Sequence, residues 1–301
     1  MHQHGESRLS AAADRRLLGL SLGLLLVFMV AEVAVGILAS SLALLADAAH
    51  MLTDAAALAL ALVAASLAAR PAKGRWTFGF GRAEILAAQA NGLTLALLGL
   101  WIVYEAARRL ADPLEVDAGL VGVVALVGIA VNLGVLALLS RAERKSLNVR
   151  GAYLHIVTDL AAFLGTAAAA GLILLTGSDR FDSIASLFVA VLMLVASWTL
   201  LRESGRIFLE GAPSSTPPAE VGRAIAEHPG VAEAHDLHVW TVTDGFPALS
   251  AHVLVDPTGD CHRIRLELES MLHERFRIDH TTLQVEHVGA AHGLEIGRVR
   301  S

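Results

Sequence analysis

One cysteine in 301 residues, Cys261, excludes an internal disulfide framework and suits a reducing cytosol for the segment that carries it. Charge is also scarce: 17% of residues are charged against 55% hydrophobic, and the mean hydropathy of +0.59 lies outside the range of soluble globular chains. No Gly-rich phosphate loop, Ser-x-x-Lys nucleophile motif or His-Glu-x-x-His occurs. The formal net charge of -6 leaves no basic surface for nucleic acid. Most of the chain therefore belongs in lipid.

Six apolar runs meet the requirement of roughly 20 residues for crossing a hydrocarbon core about 30 Å thick. They are Leu17–Ala39, Leu42–Ala69, Ile85–Ala107, Ala118–Leu139, Ala152–Thr176 and Ile184–Leu201. Arg15 and Arg16 before the first run give it the look of a signal peptide, but the run is too long for one and no small-residue cleavage site follows. The loops on one side carry Arg70, Lys73, Arg75, Arg82, Arg141, Arg144, Lys145 and Arg150; those on the other carry only Arg108, Arg109 and Arg180 among several acids. By the positive-inside rule both termini are expected in the cytoplasm, with the protein multi-pass in the inner (plasma) membrane.

Two of the apolar runs are interrupted in the same way. His50 is followed four positions later by Asp54, and His155 four positions later by Asp159. On a helix that spacing puts both side chains on one face. A charged aspartate at mid-membrane costs roughly 2.5 to 3.5 kcal/mol on insertion scales, so such groups face a bundle interior and mark an ion or proton path. A lone histidine in a span is ordinarily a satisfied interhelical hydrogen bond; the same pair twice, at similar depth, points to two imidazoles and two carboxylates meeting at one tetrahedral metal site. Asp47 falls on the His50 face as a proton carrier, a gate or an interfacial residue. Glu32, Asn91, Asn132 and Thr158 are candidate supports or plain interhelical hydrogen-bonding groups.

After Glu210 the composition changes, and GAPSSTPP reads as a linker and helix start, with Thr216 as N-cap before Pro217 and Pro218. A helix ending at Pro229-Gly230, two strands around a turn at Asp244-Gly245, a helix at Cys261–Phe276 and the strand TTLQVEH follow. That order describes a small α/β sandwich, an antiparallel-type sheet with helices on one face. Nine of the 13 histidines fall from His228 onward; His2 and His4 in the polar tail are candidates for loose metal binding or simple solvation. The expected domains are a cytosolic tail at 1–16, an all-α six-helix transmembrane domain at 17–210 and a cytosolic domain at 211–301.

The stretches ASSLALLADAAHMLTD, FGFGRAEILAAQANGL, WIVYEAARRL, SLNVRGAYLHIVTD and AHDLHVWTV, in this order and spacing, resemble the cation diffusion facilitator family of zinc exporters over about residues 17 to 288. The resemblance implies a homodimeric, proton-coupled antiporter moving Zn2+ out of the cytosol, with Cd2+ and Co2+ as alternative cargoes. It also implies an α+β ferredoxin-like (metallochaperone-like) cytosolic domain. The family's transport ligands carry over to His50, Asp54, His155 and Asp159, the four residues the spacing singles out. In the cytosolic domain, His235 and His252 match the family's metal ligands by position, with His262, Glu286 and His287 behind them; strand alternation puts His235 and His238 on opposite faces. Arg82 matches a basic position that pairs with an acid after the sixth span, here Glu210, or else is a positive-inside anchor. Two family features are missing: SRAERKSLNVR lacks a histidine-rich loop, and RPAKGRWTFGFGR has no second metal site.

Two carboxylates neutralise a divalent ion, and two imidazoles favour Zn2+ over Mg2+ or Ca2+. Since ligation needs neutral imidazole and ionised carboxylate, metal and protons compete for the same groups. A membrane-embedded zinc hydrolase is the alternative class, although catalytic zinc keeps three ligands, an open position and a general base. A metal sensor acting through the soluble domain is the other. Neither needs two polar pairs buried at matching depth.

Overall fold

The computed structural model describes residues 23, 26–139, 147–243 and 245–289, with the side chains of all but 138–139 and 147–155. The tail with His2 and His4, and the side chain of His155, lie outside that description. In chain order the elements are α1 (Leu26–Leu38), α2 (Leu42–Ala68), α3 (Arg82–Ala111), α4 (Ala118–Leu139), α5 (Leu147–Thr176), α6 (Arg180–Phe208), α7 (Pro218–Ala226), β1 (Val231–Thr243), β2 (Phe246–Val255), α8 (Cys261–Phe276) and β3 (His280–His287). Five helices, α2 to α6, are long and apolar enough to cross a membrane; α1, the described part of the first expected span, is apolar but shorter. Several helices overrun the apolar runs that announced them. α3 begins at Arg82 and α6 continues to Phe208, because a helix keeps its own backbone hydrogen bonds beyond the lipid.

The chain divides into two compact units, residues 1–59 with 90–200, and residues 60–89 with 201–301. In the first, small residues let helices approach closely. Gly99 of α3 sits where an added Cβ would be 3.0 Å from Leu194 of α6, and Ser197 of α6 donates to the Gly92 carbonyl at 2.8 Å. α2 and α5 share buried clusters, Ala43 with Ala169 in one and Ala46 with Ala162 in another, an order that suits antiparallel helices. Large apolar side chains such as Val27, Leu126, Leu175 and Trp198 are 62–84% exposed, a surface that suits lipid rather than water.

The start of α2 is held from α6. Ser41 caps α2, its Oγ accepting from the Leu44 amide at 3.2 Å. The buried Asp182 carboxylate accepts from Ser41 Oγ at 2.5 Å and from the Leu42 amide at 2.7 Å. A negative group at these unpaired amides also complements the helix dipole.

In the second unit β1 pairs antiparallel with β2, and β2 parallel with β3, in the order β1-β2-β3. The sheet is thus mixed, a correction to the antiparallel expectation, and three strands with helices are a coarser α+β architecture than a ferredoxin-like fold. Leu249, Ala251, Val253 and Val255, alternate residues of β2, bury against Val221 and Ile225 of α7 and Ile264, Leu268 and Leu272 of α8. Both helices therefore cover one face. The α7 cap is Pro217 and not Thr216, which makes no capping hydrogen bond. Pro218 forces the residue before it into an extended conformation, observed at φ -63 and ψ 122, so the helix can begin only at Pro218.

Candidate metal centre

Ala46 of α2 and Ala162 of α5 belong to one buried cluster, so the helices that carry the two His-x-x-x-Asp pairs come together in the same part of the unit. His50 is 8% exposed and Asp159 2%. His50 Nε2 lies 3.6 Å from Asp54 Oδ2, the i,i+4 geometry expected of a shared helix face. Asp159 stands within electrostatic reach of Asp47, and Asp47 of Asp54. Among the described residues no three His, Cys, Asp or Glu side chains stand close enough to hold a metal, and the fourth expected ligand, the His155 side chain, lies outside them.

Several neighbours of this region differ from expectation. Glu32 and Asp47 are 0% and 1% exposed, so both face the interior of the helix bundle. Asn132 is buried too and donates to the Gly128 carbonyl of its own helix at 2.9 Å. Thr158 is exposed on the helix surface and Asn91 is half-buried.

In the second unit Arg82 and Glu210 meet as the sequence suggested, Nη2 to Oε1 at 3.6 Å. Arg82 also donates through Nε to the Val242 carbonyl at 3.1 Å, and Thr243 Oγ1 donates to the Gly81 carbonyl at 3.0 Å. These bonds dock the α2–α3 loop on the end of β1. A cavity of about 900 Å³ beside it is lined by Trp76, Phe78, Leu237 and Trp240 together with Arg75 and His238.

The expected cytosolic ligands separate into three groups. His235 pairs with His252 across β1 and β2, their rings 5.5 Å apart, on the sheet face that the helices leave open. His238 pairs with Ser250, two residues from His252, so His235 and His238 share that face instead of opposing each other. The cause is a bulge at Asp236, whose φ is +53, which inserts a residue and shifts the alternation. The Asp236 carboxylate then reaches both His238 (3.0 Å) and His252 (3.9 Å), a partner the sequence reading missed because alternation alone carries no sign of a bulge. His287 instead lies by Cys261, Sγ to Nε2 at 3.5 Å, and its Nε2 meets the Gly259 carbonyl at 2.9 Å. Glu286 accepts from Gln284 on the open face, and His262 is exposed in the first turn of α8. At that turn Asp260 accepts from the amides of Arg263 and His262, which hold its carboxyl below the usual value.

Comparison with known proteins extends this geometry. A family model described as the cation efflux transmembrane domain matches residues 18–209, and one described as the cation efflux protein, cytoplasmic domain, matches residues 213–288. The metal cation efflux system protein CzcD of Cupriavidus metallidurans is 41% identical over 283 residues, 94% of this chain and 90% of the relative. The zinc transporter ZitB of Escherichia coli is 39% identical over 288 residues, covering 95% and 92%. The cadmium, cobalt and zinc/H(+)-K(+) antiporter of Bacillus subtilis is 37% identical over 290 residues, covering 95% and 91%.

Proposed function

The chain belongs to the cation efflux family, and from that premise we propose that it exports Zn2+ from the cytosol in exchange for protons through His50, Asp54, His155 and Asp159. It is a multi-pass membrane protein and a divalent-metal efflux transporter, not an enzyme. The observation that supports this reading is the burial of His50 and Asp159 on two apolar helices, α2 and α5, that share a buried cluster.

The chemistry of transport follows from what those groups can do. Two carboxylates cancel the charge of a divalent ion in a poorly solvated place, and two neutral imidazoles complete a tetrahedral set that a hard ion would find too small and too nitrogen-rich. Protons arriving at the same four groups displace the metal, since imidazolium cannot ligate and a protonated carboxyl ligates poorly. A bundle that opens to one side and then the other needs no further device to couple the two flows. Cd2+ and Co2+ are alternative cargoes with similar tolerance for nitrogen donors.

Residues 17–210 form the transport unit in this reading, with both termini in the cytoplasm, and residues 211–301 form the cytosolic domain through which two copies associate. His235 and His252, with Asp236 and His238 beside them on the open sheet face, are the better candidates there for a regulatory Zn2+, which would have to draw them closer than they stand; His262, Glu286 and His287 lie apart from them. Arg82 and Glu210 serve as a link between the α2–α3 loop and the segment that enters the cytosolic domain.

The test is zinc uptake by the full-length protein in liposomes. Asp159→Ala and His155→Ala should abolish uptake while the dimer still assembles, because each removes one of four ligands, and Asp159→Ala also removes one of the two charges that balance the metal. Parental uptake by either variant would falsify the assignment.

A further inference from the structure

Two buried acids remain outside the four-residue site. Glu32 of α1 and Asp47 of α2 are 0% and 1% exposed, and apart from each other their carboxyls find no hydrogen-bond donor among the described residues. The two carboxyls face each other, within electrostatic reach of Asp159. Neither α1 nor α2 contains a lysine or arginine. α1 and α2 run antiparallel from the turn at 39–41, where Gly36 lies against Leu44 and Leu45. Glu32, one turn before Gly36, therefore comes level with Asp47 and its neighbours. Two carboxyls in one dry place, with no basic partner and no amide or hydroxyl donor, can share a proton between them, and both can ionise together only when a cation stands between them.

We propose that Glu32 and Asp47 form a second cation-holding position on the translocation path, taking a divalent metal ion passed on from the four-residue site. It lies about one helical turn from His50 toward the turn at 39–41. The proposal rests on the assignment of the transport site and adds a step after it. Two negative charges match one divalent ion, and four oxygens with no nitrogen make a looser and harder donor set than one built with imidazoles. Such a position holds Zn2+ briefly and accepts Mn2+ readily, which is the property that separates it from the first site. Asp159 and Asp54, both near Asp47, keep the ion beside a carboxylate as it moves.

The experiment uses the full-length protein in liposomes, with zinc flux followed by an enclosed indicator and Mn2+ added as competitor. Glu32→Gln and Asp47→Asn should each lower maximal zinc flux about tenfold with KM changed less than about threefold, since loading of the four-residue site is untouched. Glu32→Asp, which keeps the charge, should retain most of the flux. Mn2+ should slow zinc flux in the parent and have no effect on the residual flux of Glu32→Gln. An interhelical hydrogen-bonding role would be met as well by glutamine, so parental flux in Glu32→Gln overturns the proposal. So does a parent indifferent to Mn2+, a measurement that requires no variant to fold. Flux surviving in Asp54→Ala would refute the four-residue site itself; flux lost in Asp54→Ala but intact in Glu32→Gln and Asp47→Asn overturns the second position alone.

Discussion

Replacing Gly128 with alanine tests how tightly α4 must lie on α5 for the centre to form. A Cβ at Gly128 would stand 2.6 Å from Phe163 Cδ1 and Cε1 and 2.9 Å from Cγ. Carbon atoms rest comfortably at about 3.5–4.0 Å, so roughly 1 Å of displacement is required. Phe163 cannot swing aside, being 1% exposed with its ring edge-on to Phe28 at 5.4 Å. Overpacking of this kind costs about 1–3 kcal/mol. The larger effect falls on function, because Asp159 is one turn from Phe163 on the same helix, and metal ligands tolerate only about 0.2 Å of misplacement. We expect zinc flux in liposomes to drop about 10²-fold in Gly128→Ala, the scale of a 1 Å error in a reacting geometry. Phe163→Leu removes the obstructing ring, so the double variant should recover flux, with a coupling of at least about 1 kcal/mol in detergent unfolding. Parental flux and stability in Gly128→Ala, or strictly additive effects in the double variant, would refute the reasoning.

Three further outcomes follow from other parts of the molecule. His50→Asp leaves three carboxylates and one imidazole in the proposed site, and should raise Mn2+ transport relative to Zn2+ in a competition flux assay; an unchanged metal preference would mean that His50 does not touch the ion. Arg82→Ala should change unfolding stability by less than about 1 kcal/mol, since Arg82 and Glu210 are 40% and 66% exposed and 3.6 Å apart; a larger loss measured by thermal unfolding would contradict that reading. Asp260 has its carboxyl pKa lowered by amide hydrogen bonds, so its capping stabilises the fold above the ordinary value of 3.8 and stops doing so as the pH falls through the lowered one. The melting-temperature gap between the parent and Asp260→Ala should therefore be present near neutral pH and close in strong acid, and a gap that grows on acidification would show the sign to be wrong.

What the sequence disclosed was whatever depends on one residue's own cost. The apolar runs fixed the helices that cross lipid, because an unsatisfied backbone there is prohibitive. The two His-x-x-x-Asp pairs stood out because each breaks such a run. Relations between distant segments were not legible in the same way. Nothing near Asp182 announces that it accepts from the amide of Leu42, 140 positions earlier. Strand alternation described β3 correctly as a strand and was silent on its parallel pairing with β2. His235 and His238 fell on one face through a backbone excursion at Asp236 that a count of alternating residues cannot register. Pro217 and Pro218 did hold the answer to the start of α7, since the restriction that proline places on its predecessor outweighs the ordinary preference for threonine as a cap.

The grip of Asp182 on the first turn of α2 makes that helix a lever with a fulcrum at one end. At 1.5 Å per residue His50 is about 12 Å from the fulcrum and Ala68 about 39 Å. A tilt of about 10° about Leu42 would thus carry His50 only about 2 Å, while the far tip sweeps about 7 Å. The turn proposed to bear the ion sits on the short arm, where a set of ligands would be loosened without being scattered, and the long arm would supply the travel needed to open and shut a passage.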